Sequence, residues 1–148
     1  MQEKIEADLK SALLAGDKAK AETLRGLKSA LLNEVIAKNA RETGLSDEQM
    51  QQVLSREAKK RQEAADLYKQ AGEEQRAATE LSEKEIIDVY LPAQLSEEEI
   101  SQAVEVAIKE LGASSPADLG RVIGAVRAKL GPSAEGSTIA RLVKEKLQ

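Results

Sequence analysis

The chain contains no cysteine, histidine, phenylalanine or tryptophan. Without cysteine there is no disulfide, no thiolate nucleophile and no thiolate metal site. Without histidine the commonest general base and the commonest nitrogen ligand are gone, which leaves carboxylates, lysine, tyrosine and hydroxyls for any chemistry. Aromatics amount to two tyrosines, Tyr68 and Tyr90, so a core built on large rings is excluded. No apolar run approaches the roughly 18 residues of a membrane span, and the opening "MQEKIEADLK" lacks the basic-then-apolar order of a signal peptide. These absences lead to the expectation of a cytoplasmic protein with no membrane association and no cofactor.

What remains is aliphatic and charged. Of 148 residues, 41% are hydrophobic and 32% are charged, with a net charge of −4. A core of Leu, Ile, Val and Ala is best filled by packed helices, so the expected class is all-α. The charge is uneven. Residues 1–95 carry 15 basic and 18 acidic side chains, residues 96–112 carry 1 and 5, and residues 113–148 carry 6 and 3. The last third is locally basic, as a surface meeting an anionic partner would be.

Apolar residues recur at helical spacing: Ile5, Leu9, Leu13; Leu24, Leu27, Leu31, Val35; Met50, Leu54, Ala58, Ala65, Tyr68. No stretch sustains the two-residue alternation of a strand. "AGD" at 15–17 breaks the first helix, with Asp17 placed to cap the second. Ser46 and Gln49 have capping-box spacing, with Leu45 and Met50 as a staple; Ser96 and Glu99, with Leu95 and Ile100, repeat the device. A third copy, "LSEKEI" at 81–86, is expected to start or restart a helix. Pro92 in "YLPAQLS" ends what precedes it. The expected organisation is therefore an elongated helical region at 1–91, a linker at 92–95 and a small three-helix bundle at 96–148. The bundle's helices are expected near 96–111, closed by Gly112, near 116–130, opened by Ser115 and Pro116 and closed by Gly131, and near 134–147.

Five pieces, "TLRGLKSALLNEVIAK" (23–38), "AKKRQEAADLYKQAG" (58–72), "IIDVYLPAQLSEEEI" (86–100), "GASSPADLGRVIGAVRAKL" (112–130) and "AEGSTIARLVKEKL" (134–147), together resemble the GatB/YqeY family, and in particular its stand-alone YqeY-like proteins. The resemblance runs nearly end to end. It implies an α-helical two-part protein whose C-terminal bundle is similar to the tail of the GatB subunit of glutamine-dependent tRNA amidotransferases, the part that engages transfer RNA. It also implies an association with carbon–nitrogen ligases that use glutamine as amido donor. The ammonia-producing and acyl-activating parts of that enzyme have no counterpart in this chain, and no catalytic motif of its own is present. The chain departs from the family between its last two helices. There the family has a basic turn of the form Gly-Arg/Lys-Ala-Asp-Gly-Lys, and here residues 131–137 read "GPSAEGS", which removes both basic positions. After "KQAG", where the family tends to have Arg, this chain has Glu73.

Three sets of residues carry the functional expectations. Arg121, Arg127, Lys129, Arg141 and Lys144 form the cationic set that could neutralise RNA phosphates. With no aromatic in residues 91–148, base stacking is unavailable, and tRNA binding would be driven by shape and charge. Four of the nine glycines fall between Asp118 and Ser137. Gly120 and Gly124 stand four apart inside a helix, which costs about 1 kcal/mol each relative to alanine. With Gly131 and Gly136 they are assigned to close helix packing or to backbone approach by a partner. Arg25, Ser29 and Asn33 form a polar row on one helix, expected as an inter-helix hydrogen-bond network or an interaction face. Arg56, Lys59, Lys60 and Arg61, interleaved with Glu57 and Glu63, are expected on a helix exterior. The alternative to RNA binding is docking of a protein partner on residues 1–91, whose helices carry Ala-rich faces such as Ala58, Ala64 and Ala65. No metal site is expected.

Overall fold

The computed structural model describes all 148 residues and is all-helical, with seven α-helices and no strand. They are α1 (Gln2–Leu14), α2 (Lys18–Ala37), α3 (Asp47–Gln70), α4 (Glu74–Asp88), α5 (Glu97–Leu111), α6 (Leu119–Leu130) and α7 (Gly136–Lys146). By contact density the chain divides into Met1–Leu91 and Pro92–Gln148. No helix is long and apolar enough to cross a membrane.

Local chemistry accounts for most boundaries. Asp17 accepts the Lys20 N–H at 3.2 Å and caps α2. Ser46 and Gln49 close a reciprocal box at the start of α3, and Ser96 and Glu99 do the same for α5. At the other ends, Gly112 closes α5 in the left-handed region at φ 60°, and Gly131 ends α6 at φ 57°. Both conformations are ones a side chain rarely adopts.

Two boundaries differ from the sequence expectation. "LSEKEI" starts nothing: Ser82 lies in the middle of α4, which begins eight residues earlier at Glu74. The reversal has already been made by Gly72 at φ 76°, and buried Ala77 keeps the new helix against α3. The segment opened by Ser115 starts as a 3-10 turn, Pro116–Asp118, and becomes α-helical only at Leu119. Ser115 supplies no side-chain cap. Asp118 instead accepts the Ser114 N–H at 3.1 Å, taking the acceptor role that Ser115 was expected to fill.

In the first unit α3 and α4 pack as a helical hairpin, α1 lies on α2, and α2 contacts both α3 and α4. The core gathers Ile5, Leu24, Leu27, Leu31, Val53, Leu54 and Ile87. Leu54 and Ile87 are fully buried, and a side chain so placed contributes about 1.5–3 kcal/mol by leaving water. Ala58 and Ala65 are buried inside this unit, so the Ala-rich stripe is consumed by the fold and offers no docking face. Tyr90 closes the core: its hydroxyl donates to the Asp8 carboxylate, and the Lys4 ammonium lies 5.4 Å from its ring centre. In the second unit α5, α6 and α7 each pack on the other two around Ile100, Val104, Val122, Val126, Ile139 and Val143.

Candidate functional site

The five cations of the second unit fall into two groups. Arg121 is bound to Asp118 at 2.8 Å, within its own first turn. Arg141 is held between Glu97 of α5 at 2.8 Å and Glu145 at 3.0 Å. Hydrogen bonds from those two carboxylates raise its affinity for the proton, and Arg121 likewise helps hold Asp118 below its usual range, after the Ser114 N–H. Arg127, Lys129 and Lys144 make no ion pair, and all three are exposed.

The glycines show where the unit is open. A Cβ added to Gly120 or Gly124 would meet no atom within 4 Å, and both residues are exposed. No neighbouring helix occupies the space above them, so the expected close helix–helix contact is absent within the chain. The buried stripe of α6, led by Val122 and Val126, faces the other way. Gly131 is likewise open above its Cα, and its requirement is the positive φ alone. Gly136 is different: a Cβ there would stand 2.2 Å from Nη2 of Arg127, whose guanidinium lies across the start of α7.

These positions make one continuous row. Gly120, Gly124 and Arg127 stand at i, i+4 and i+7 on α6 and therefore share a face. Arg127 carries that face over Gly136 onto the first turn of α7. That turn has no side-chain cap, and the N–H groups of Ser137 and Thr138 have no protein acceptor. Ser137, Arg141 and Lys144 continue at the same i, i+4, i+7 spacing along α7. Lys129 stands apart, five residues beyond Gly124 and so turned about 140° round the helix. The 131–137 turn lacks the basic side chains of the GatB/YqeY pattern, yet it does have a cation, delivered from α6 by Arg127. Sequence reasoning missed this because the approach of Arg127 to Gly136 depends on the angle between two helices, which the spacing of nine residues does not fix.

The first unit holds the other candidates. Arg25, Ser29 and Asn33 are all exposed on α2 and make no side-chain hydrogen bond, so the expected inter-helix network is not formed. These side chains point away from the core because Leu24, Leu27 and Leu31 occupy the buried face of α2. Asn33 lies at the edge of an open cleft of about 290 Å³ between α2 and α3, with Arg56 and Lys60 on its far wall. The basic run of α3 is fully committed: Arg56 to Glu34, Lys59 to Glu63, Lys60 to Glu57, and Arg61 to Glu83 at 2.7 Å with Glu57 and Glu80 nearby. Those pairs tie α3 to α2 and α4 and leave no cation free for a ligand. No three carboxylates gather closely enough to hold a metal ion.

The second unit is thus a helical module with an uncovered, glycine-opened and cation-bearing face, and nothing in it resembles a reaction centre. A family model described as Yqey-like protein matches residues 2–147, and the chain belongs to that family. No curated protein matches it.

Proposed function

We propose that the Pro92–Gln148 unit binds the sugar–phosphate backbone of a structured RNA, with transfer RNA as the partner, and that the chain acts as an accessory and not as a catalyst. The observation that carries this reading is the pair Gly120 and Gly124, two helix-weakening residues over open space on the same row as unpaired Arg127. Removing two side chains from an exposed helix face lets a bulky backbone come close. Arg127, Lys144 and the uncapped first turn of α7 supply donors for phosphates along that row, and a helix N-terminus favours negative charge. Transfer RNA is preferred among RNAs because the bundle resembles the tail of the GatB subunit, and the same resemblance links the chain to glutamine-dependent amidotransferases. The residues offer no base-stacking surface, so recognition rests on shape and charge.

The test is a titration of fluorescently labelled tRNA against the purified chain across a salt series. Binding is expected at low salt, with log K falling against log salt at a slope of about −2 to −3, as for three or four neutralised phosphates. Reversing Arg127 and Lys144 to Glu is expected to weaken binding about tenfold or more and to flatten that slope. Absence of binding at low salt, or a double variant that binds as the wild type does, overturns the proposal.

A further inference from the structure

One face of the α1–α2 hairpin is built as a surface that can meet its own copy. The Lys28 ammonium stands 3.4 Å from Glu6, which sets the register of the two helices. With Glu6 level with Lys28, Leu13 lies level with Ala21, seven residues along each helix in opposite directions. Leu13 shares the Glu6 face of α1, while Arg25 and Leu32, three and four residues from Lys28, share its face of α2, and Ile36 extends that row by a turn. These apolar side chains are uncovered: Leu13 is 50% exposed, Leu32 58% and Ile36 49%. Apolar residues therefore mark both ends of the face, with an ion pair between them.

The spacing is close to symmetric. Leu13 and Ile36 lie seven and eight residue levels to either side of Lys28, roughly 11 Å each at 1.5 Å per residue. A two-fold axis passing by the Lys28–Glu6 pair exchanges the two ends, so Leu13 of one copy meets Leu32 and Ile36 of the other, and this happens twice. The central pairs then meet each other, ammonium toward the second copy's carboxylate. An isologous contact requires such self-complementarity, apolar against apolar and opposite charges across the axis. We propose that this face pairs two copies of the chain. The inference stands independently of RNA binding, since it uses only residues of the first unit.

The test is sedimentation velocity across a concentration series, joined to cross-linking. The absence of native cysteine means that any thiol is an introduced one. The chain is expected to dimerise with rising concentration. Leu32→Glu should weaken the dimer about tenfold or more without lowering the melting temperature, because the side chain is outside the core. Leu13→Cys mixed with Ile36→Cys should form a mixed disulfide faster than either variant does alone. A chain that stays monomeric into the high micromolar range overturns the proposal. So does a Leu32→Glu variant that dimerises as the wild type does, or cross-linking in which Leu13→Cys pairs preferentially with itself.

Discussion

At the scale of single residues, the most informative positions are those whose surroundings do not match their local preference. Gly120 and Gly124 weaken a helix and are covered by nothing, whereas Gly136 is filled by the guanidinium of Arg127. Tyr90 is the opposite case, a polar group drawn into a core. Burial first, and then the hydrogen bond to Asp8, push its phenol well above the ordinary value of 10.0. The fold therefore favours the protonated phenol, and this contribution is complete below pH 10 and is lost as the pH rises beyond it. In a Tyr68→Phe background, where Tyr90 is the only ring left to titrate, ultraviolet absorbance should show no phenolate at pH 11. The melting temperature should fall over the same alkaline range, and Tyr90→Phe should flatten that fall. A phenolate appearing near pH 10 would contradict the burial and hydrogen bond described for Tyr90.

At the scale of elements, caps decide where helices begin, and packing decides where a cap-like sequence is ignored. Ser96→Ala removes the acceptor for the Glu99 N–H and is expected to lower stability by about 1 kcal/mol in a denaturant titration. The Glu99 carboxylate is held below its usual range first by the Ser96 N–H and then by the Ser96 hydroxyl. Its folded affinity for the proton is thus lowered, so its contribution is present above the usual carboxylate range and is lost as the pH falls through it. Glu99→Gln should accordingly reduce the loss of melting temperature between pH 5 and pH 3. Much of this level was legible in the sequence: both boxes, the Asp17 cap and the Gly112 and Gly131 ends follow from residue types at fixed offsets. "LSEKEI" misled because its box spacing carries no information about Ala77, whose burial against α3 keeps α4 continuous through it. The candidate site was legible only as a set of residue types. Whether Arg141 is held by Glu97, whether Arg127 reaches Gly136, and whether a helix covers Gly120 all depend on tertiary packing. Amphipathic periodicity gives the buried face of each helix and leaves its neighbours unspecified.

At the scale of the whole molecule, a YqeY-like chain assembles two helical units, each with its own core and its own uncovered surface. The first has apolar residues at both ends of the α1–α2 face, and the second has the glycine row of α6 leading onto α7. Both surfaces cost local stability or solubility, and both are accounted for by a partner outside the chain. The claim that matters most is that the α6 glycines are kept for such a partner and not for the fold. Replacing Gly120 and Gly124 together by alanine separates the two roles, because the space above each is open and alanine is the better helix former, worth about 1 kcal/mol at each site. The most direct measurement is the melting temperature and the tRNA affinity of that double variant, taken on the same sample. The account predicts a higher melting temperature together with affinity reduced about tenfold; a variant that is stabilised and binds tRNA as tightly as the wild type would contradict it.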